Sequence, residues 1–575
     1  MSLFGSIQLA NNALQANQIG LQVVGQNIAN ANTPGYSRED VILTPAPTQR
    51  QGNLLLGLGV QVHGIVQVID EFLEQRLRGA TSDGESSAAR EQVYTQLESF
   101  LGELSDTDLS TSLNKFFSSV SDVLNQPDSD SVRNLAVLQG KTLTGDLNRL
   151  ATRVSDARTD LNTQVINSTT DINRLTESIR DLNIRISAIE GGSASASDAV
   201  GLRDQRNQAL ADLAKLVDIR VSEQPSGSVN IFAGGEFLVF EGAARNVKVD
   251  LQTDRGLSVA TLKIAETDSP LLASSGKLAG LTGARDEILG GFLDKLDQFA
   301  STLAFEFNKV YSVGQGLKGY TTLTSDFAVT DVNKPLDVAG LKSSPTSGQF
   351  QVLVLDKQSG LTRRTDIAID LNGLDDNDTT LTSLAAKLNS INGLSATITS
   401  DRRLTINTTS SNLEFAFAGV GTPPASLKDT SSLLASLGLN SFFRGTSARE
   451  IGISDAVIKD PAKFAASQGG VGQDTANAVA LADFLSQPLD SANGATLGVL
   501  HDRLVADVTQ GSSVAKAVAD GFRTFEATLK GQQLATSGVS LDEEAVRMIT
   551  FQRAYQASAR FITTLNELLD VLVNL

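Results

Sequence analysis

The chain has 575 residues, no cysteine, and 65 acidic against 47 basic side chains, for a formal net charge of -18. This length is enough for several domains, the lack of cysteine excludes disulfides and thiolate-bound metals, and the acidic balance disfavours nucleic acids and anionic membrane surfaces as partners. No apolar run approaches the ~20 residues that cross a bilayer, and the N-terminus lacks the charged and apolar regions of a cleavable secretory signal. We therefore expect either a cytoplasmic protein or one that is exported without cleavage of a leader.

The N-terminal segment predicts a long helix without charge. Residues 1–37 contain no Asp, Glu, Lys or Arg. Apolar residues recur there at intervals of three and four, as in the seam of a coiled coil, at Leu3, Ile7, Ala10, Leu14, Leu21, Val24 and Ile28, with Asn17 as one polar member. A helix over residues 3–31 would be about 44 Å long.

A turn is predicted directly after this helix, in the stretch NIANANTPGYS. Thr33, Pro34, Gly35 and Tyr36 fit a type II turn, because proline fixes φ at the second position and glycine supplies a positive φ at the third. The residue before a proline avoids the helical region, so the helix that includes Asn30 must end by about residue 32.

Helices dominate residues 85–220. Shorter helices are indicated around residues 93–104 and 113–124, and a stripe from Leu147 to Ile189 predicts a long coiled-coil helix over six heptads. The stretch GGSASAS at 191–197 breaks it, and Leu202 to Leu216 resume the pattern. The sequence therefore predicts an antiparallel coiled-coil hairpin over 147–217.

Two β-rich stretches follow. Alternating patterns predict a small β element over 219–265, after which helix returns between Leu289 and Val310. Residues 322–446 are rich in Thr, Ser, Asp and β-branched residues and read as two strands, a helix and a further hairpin, a ββαββ order. Helices are predicted again at 474–486 and 496–532.

The C-terminal segment mirrors the N-terminal one. A 3–4 stripe over residues 541–573 predicts a helix of about 50 Å, with Met548, Phe551, Tyr555, Ser558, Ile562, Leu565, Leu569 and Leu572 on one face. Because neither terminal helix can bury its stripe alone, we expect the two to pack together. They could merely close a domain, but the missing charges favour an assembly surface, since Gln and Asn can be buried among copies without an unpaired charge.

The stretches NIANANTPGYSRE and SGVSLDEEAVRMITFQRAYQASARFITTLNELLDVL resemble the paired terminal signatures of bacterial flagellar axial proteins, the rod, hook and hook-associated proteins. Tyr-Ser-Arg after Pro-Gly and Asp-Glu-Glu before the last helix are most similar to the hook-associated members at the hook–filament junction. The resemblance implies a structural protein without catalysis whose terminal helices form an inner tube. It also implies export, as an unfolded chain with no cleaved signal peptide, through the flagellar type III apparatus to an extracellular position.

The resemblance further implies partners and a domain division. Expected partners are further copies in a ring, the hook protein on one side, a second junction protein (hook-associated protein 3) on the other, and an export chaperone at the C-terminal helix. The expected α+β, multidomain fold has four parts. The N-terminal helix of the inner tube domain, 1–36, pairs with its C-terminal helix, 538–575. The other two parts are a helical core of 37–321 plus 447–537 and an inserted outer domain of 322–446, which is similar to a module of flagellins and hook-associated proteins.

Two other interpretations remain open. One is a hook or distal rod protein, which the predicted coiled-coil hairpin disfavours because those relatives are mainly β-rich between their terminal helices. The other is an enzyme carried on a coiled-coil scaffold, for which no site can be named.

Few residues suggest chemistry. Gly314, Gly316 and Gly319 form a GxGxxG, but a helix precedes it where a dinucleotide site needs a strand. An Asp-rich loop at 370–378 lacks the spacing and the closing Glu of an EF-hand. The two histidines, His63 and His501, are far apart and belong to no catalytic motif. We predict no catalytic, cofactor-binding or metal-binding residue.

Overall fold

The structure is a computed structural model that describes residues 3–51, 54–102, 108–190, 197–374, 377–421, 427–472 and 474–573. The helices are α1 Leu3–Asn30, α2 Glu71–Leu101, α3 Leu109–Asn125, α4 Asp130–Glu190, α5 Val200–Leu216, α6 Gly276–Gly283, α7 Gly290–Tyr311, α8 Leu381–Asn389, α9 Leu433–Leu437, α10 Asp455–Lys459, α11 Ala476–Ala482, α12 Leu497–Ser537 and α13 Leu541–Val573. Among the helices of these ranges, none combines the length and the apolarity that a bilayer crossing requires.

The strands are short and form several small sheets. They are β1 Glu39–Pro45, β2 Thr48–Gln51, β3 Leu54–Gly57, β4 Val60–Gln67, β5 Arg220–Glu223, β6 Val229–Ala233, β7 Glu236–Phe240, β8 Ala243–Ala244, β9 Val247–Asp254, β10 Leu257–Ile264, β11 Thr322–Thr324, β12 Gly348–Asp356, β13 Thr362–Ile369, β14 Leu394–Ile398, β15 Leu404–Thr408, β16 Leu413–Ala418, β17 Phe443–Arg444 and β18 Gly452–Ile453. Long helices with small antiparallel sheets make this an α+β, multidomain protein, as the sequence predicts.

The chain divides into two compact units. The first unit contains residues 1–93, 159–285 and 513–575, and the second contains residues 94–158 and 286–512. The predicted division into tube, core and inserted domains stays a prediction.

The second unit is built on a cluster of aromatic rings. Phe116 of α3 lies 5.4 Å from Phe442, and Phe307 of α7 lies 5.1 Å from Phe443, measured between ring centroids. All four side chains are buried. Stacked and edge-on contacts at these distances add to the burial of apolar surface, so the rings connect α3 and α7 to the end of the 322–446 segment.

Residues 322–446 have the predicted ββαββ order in β12, β13, α8, β14 and β15. β12 pairs antiparallel with both β13 and β16, and β15 pairs with both β14 and β11. Most of their buried side chains belong to one apolar cluster that extends to Val313, Tyr320 and Leu439. Leu353 of β12 and Ala416 and Ala418 of β16 form a second, smaller cluster. Strands β11 and β16 were not predicted.

Helix α4 is longer than predicted, because it begins at Asp130 and not near residue 147. The predicted apolar stripe from Leu147 to Ile189 is buried as far as Ile186, while its last member, Ile189, is 51% exposed. Three asparagines of α4 bond to strand edges of the first unit: Asn162 to β10, Asn173 to β9 and Asn183 to β6. Each side-chain nitrogen donates to a strand carbonyl (2.7–3.1 Å) and each side-chain oxygen accepts from a strand N–H (2.7–3.0 Å).

The predicted coiled-coil hairpin over 147–217 stays a prediction. The returning helix α5 has only 17 residues, and it reaches the end of α4, where Arg203 pairs with Glu190 at 2.7 Å and Arg206 donates to Asn183 at 3.2 Å. From residue 162 to residue 183, α4 bonds to strands. An amide matches both the donor and the acceptor of an extended backbone, which a heptad count of apolar residues does not register.

Candidate functional site

The two terminal helices lie side by side and antiparallel in the first unit. Gly20 of α1 faces the ring of Phe551 of α13, and seven residues further along α1, Asn27 bonds to Glu544, seven residues earlier in α13. Both helices have bounds within one residue of the predicted ones. Helix α1 has a second neighbour besides α13, because it also packs on β1 and β4.

The predicted seam of α1 is only partly covered. Ile7, Leu14, Leu21 and Ile28 are half-buried, while the fully buried residues are Ala10, Ala16, Gly20, Val23, Val24 and Asn27. The buried face is rotated from the predicted one because two neighbours share it: α13 on one side and the β1–β4 hairpin on the other. The side chain of Leu3 lies outside the described residues.

On α13 the predicted stripe is the less exposed face. Leu565 is buried, and the half-buried members are Met548, Phe551, Tyr555, Ser558, Ile562 and Leu569. The side chain of Leu572 lies outside the described residues. Half-burial leaves these apolar side chains in reach of a further partner, but the assembly role of both stripes stays a prediction.

The turn after α1 has the predicted form. Tyr36 N donates to Thr33 O at 3.2 Å, and Gly35 has a φ of +78°, a value that L side chains rarely adopt. The hydroxyl of Thr33 donates to the side-chain oxygen of Asn30 at 3.2 Å. The turn is therefore closed from both sides and directs the chain from α1 into β1.

Five polar residues connect the two ends of the chain, and we call them the motif network: Asn27, Tyr36, Arg38, Glu39 and Glu544. The side-chain nitrogen of Asn27 donates to Glu39 O (2.9 Å) and to Glu544 Oε2 (3.2 Å). Its side-chain oxygen accepts from Glu39 N (2.9 Å) and from the hydroxyl of Tyr36 (2.8 Å). Asn27 thus uses its donor and its acceptor fully.

Glu544 is the charged centre of the motif network, with 0% of its surface exposed. Arg38 Nε donates to Glu544 Oε1 at 3.0 Å, and Arg38 Nη1 lies 3.6 Å from Glu543 Oε2. Arg38 N donates to Ser537 O at 2.9 Å, between α12 and α13. A buried carboxylate needs such compensation, so the residues after α1 and the start of α13 must be in place together.

Two further carboxyl groups lie beside the network. Ser37 N and the side chain of Gln67 donate to Asp204 Oδ1 of α5, at 3.3 and 2.6 Å. Burial raises the pKa of Asp204 to about 6 despite these bonds, and burial, with the charge of Asp204, raises the pKa of Glu39. Burial also raises the pKa of Tyr36, so its hydroxyl stays protonated and remains a donor.

The contact between the N-terminal motif NIANANTPGYSRE and the acidic residues before the last helix was not predicted. Arg38 is the first charged residue in the sequence. It pairs with the adjacent acidic residues Glu543 and Glu544. The opposite charges of the two motifs were the sequence signal from which this contact could have been predicted. The arrangement fixes two helices and a turn relative to each other.

The glycine-rich loop at 314–319 is a packing feature. A Cβ on Gly316 would lie 2.5 Å from Ala462 O, and one on Gly319 would lie 2.9 Å from Phe415 O. Such contacts do not occur for real Cβ atoms, so these positions bring two backbone segments together. This explains the GxGxxG pattern without a nucleotide.

Other residues considered for chemistry remain separate. In the Asp-rich loop, Gly373 N donates to Asp378 Oδ1 at 3.2 Å, and residues 375 and 376 lie outside the described ranges. His63 is exposed on β4, and His501 is buried against Phe299. Within the described part of the chain, no group of three or more His, Asp or Glu side chains is placed to hold a metal ion.

We expect Gly20→Ala to weaken the pairing of α1 with α13. The new Cβ would lie 2.6 Å from Phe551 Cε1, and forcing a ring out of a packed contact costs about 1–3 kcal/mol. Gly25→Ala is the matched control, because its Cβ meets nothing within 4 Å and alanine is favoured over helical glycine by roughly 0.5–1 kcal/mol. Hydrogen exchange of α13 should become faster in the first variant and slower in the second; slower exchange in both would contradict the contact.

Three flagellar families match the chain. Residues 94–327 match the flagellar hook-associated protein FlgK helical domain, residues 530–575 match the flagellar basal body rod FlgEFG protein C-terminal family, and residues 7–36 match the flagella basal body rod protein family. The two terminal matches contain the two helices and the turn described above.

Full-length relatives agree with these matches. The chain is similar to proteins named flagellar hook-associated protein 1: 25% identical to that of Escherichia coli (strain K12), with 99% of both chains covered, and 25% identical to that of Bacillus subtilis (strain 168), with 100% of this chain and 98% of the relative covered. Among solved structures, the flagellar hook junction protein FlgK from Burkholderia pseudomallei aligns with a TM-score of 0.49 at 16% identity, over 80% of this chain and 100% of that one.

Proposed function

We propose that this chain, which belongs to the flagellar hook-associated protein 1 family, joins the hook to the filament as a ring of subunits. It is a structural component of the bacterial flagellum. The observation that carries the proposal is the motif network, because it joins the two terminal signatures that separately match flagellar families. A protein that must present two terminal helices as one unit needs such a connection.

In the proposed ring, α1 and α13 form the inner tube and the middle of the chain faces outward. The uncharged α1 supports this position, because a helix without charges can be buried among copies at little electrostatic cost. Residues 322–446 form the outer domain of the proposal. Their continuous apolar cluster and their own strands and helix support that assignment.

The neighbours are the hook protein on one side and hook-associated protein 3 on the other. Export proceeds through the type III apparatus without signal cleavage, and a chaperone covers α13 before assembly. Exposed apolar side chains on α13, such as Val546 and Val571, support a need for cover. Packing of α1 on α13 supports export without cleavage of the N-terminal segment, because removal of α1 would leave the half-buried stripe of α13 without its partner.

The proposal includes no catalysis. Close backbone packing explains the glycine-rich loop at 314–319 without a nucleotide. Between the structural alternatives, the match of residues 94–327 to a hook-associated helical domain favours the junction over the hook or the distal rod, although the terminal matches alone would fit all three.

Cells that lack this protein test the proposal. We expect hooks of normal appearance, no filaments, and unpolymerised flagellin in the medium. The measurements are electron micrographs of the cell surface and immunoblots of the culture supernatant, with a strain that carries the gene on a plasmid as control. Missing hooks would move the protein to the rod or hook class, and normal filaments would reject the proposal.

A further inference from the structure

Helix α1 has an exposed face made almost entirely of amides. Seven exposed residues fall on one side of the helix at intervals of three and four, six of them amides, and we call them the amide face: Phe4, Gln8, Asn11, Gln15, Gln18, Gln22 and Gln26. Leu9 and Ala29 are exposed as well. None carries a charge. Solvent-facing helix surfaces usually carry charged residues, so this face is suited to contact with another protein surface.

Helix α13 has a second apolar stripe, opposite to the stripe that faces α1. Its members are at least 44% exposed, and we call them the outer stripe: Val546, Ile549, Phe561, Leu568 and Val571. Two exposed arginines, Arg553 and Arg560, lie at the middle of the same face. Apolar positions repeated on both faces of one helix indicate two helical neighbours. In the described part of the chain, α1 is one of these neighbours, and the outer stripe stays exposed.

We propose that the amide face of one copy packs against the outer stripe of the next copy. The inference rests on the proposed ring and names the surfaces that form it. The two surfaces are different, so the contact is heterologous and can repeat around a ring, whereas a contact of either face with itself would stop at a dimer.

The two surfaces are complementary in length and in chemistry. Helices of 28 and 33 residues are about 42 and 50 Å long, so they can lie side by side. If neighbours in a ring lie at the same level, the antiparallel register seen inside one chain places Gln22 level with Ile549, Gln18 with Arg553, and Asn11 with Arg560. Amide oxygens of Gln18 and Asn11 can accept from the guanidinium groups of Arg553 and Arg560 at these levels.

The absence of cysteine makes a cross-linking test direct. Cells that lack their own copy would express two differently tagged full-length variants together, one with Gln22→Cys and the other with a cysteine on the outer stripe, in turn Val546→Cys, Ile549→Cys and Arg553→Cys. Isolated hooks with attached filaments would be oxidised and analysed for dimers that carry both tags. The control pairs Gln22→Cys with Leu361→Cys, an exposed residue between β12 and β13.

We expect mixed dimers with at least one outer-stripe position, about tenfold above the control pair, because a fixed interface raises the effective concentration of the two thiols. Dimers of Gln22→Cys with itself, or no mixed dimers at any of the three positions, would overturn the inference. Absence of every variant from isolated hooks would instead count against the proposed function, so the two failures are distinguishable.

Discussion

Glu544→Ala is expected to detach the start of α13 from α1 and β1. Glu544 is fully buried and accepts from both Arg38 and Asn27, so its removal takes a charged acceptor from the Arg38 guanidinium, whose side chain is only 15% exposed, and one acceptor from the Asn27 amide. Removing one partner of a buried ion pair typically costs 3–5 kcal/mol. We expect a loss of about that size in the free energy that protects the amides of α13, measured by hydrogen exchange of the purified chain.

Glu543→Ala is the matched control for this experiment. Glu543 precedes Glu544 directly, also faces Arg38, but its side chain is 65% exposed and 3.6 Å away. Exposed ion pairs contribute about 0–1 kcal/mol, so protection should change little. In double-mutant cycles with Arg38→Ala, the coupling should be large for Glu544 and near zero for Glu543. Equal effects of the two alanine variants would show that burial of Glu544 does not hold the helices together.

The terminal helices and the ββαββ order could be predicted because their signals are local. A 3–4 spacing sets the bounds of α1 and α13 almost to the residue, and Pro34 with Gly35 sets the turn. The strands β2 and β3 were missed because Thr48–Gln51 is polar throughout and its partner strand is short. Alternation of apolar residues, the usual signal of a half-buried strand, is absent there.

The motif network could not be predicted from local signals. Asn27 and Glu544 are separated by 517 positions, and no periodicity relates residues at that distance. Similarly, the rotation of the buried face of α1 follows from the packing of β1 and β4 on it, which the helix pattern does not encode. The contacts of α4 with strands are non-local in the same way, since Asn162 and Asn173 bond to strands that occur later in the sequence.

Gln22→Glu is expected to abolish motility while leaving the monomer unchanged. Gln22 is exposed in the single chain, so a carboxylate of nearly the same shape stays hydrated there, and the melting temperature and export should be normal. In the assembled junction the same position is buried in our proposal. In the proposed contact Gln22 lies level with the apolar Ile549, so a carboxylate there would lose its hydration against an apolar side chain, which typically costs several kcal/mol in each subunit and is repeated in every copy of the ring.

Swimming assays and fractionation measure this effect. The Gln22→Glu protein should appear in the culture medium and not on hook tips, and cells should lack filaments. Gln358→Glu is the control, because it adds the same charge at an exposed turn between β12 and β13; its cells should swim normally. Leu14→Ala and Leu21→Ala should also reduce assembly, since these half-buried side chains lose part of the roughly 1.5–3 kcal/mol that burial of a leucine contributes. If the leucine variants fail to assemble but Gln22→Glu cells swim, the amide face is solvated in the junction, and the uncharged surface of α1 has another cause.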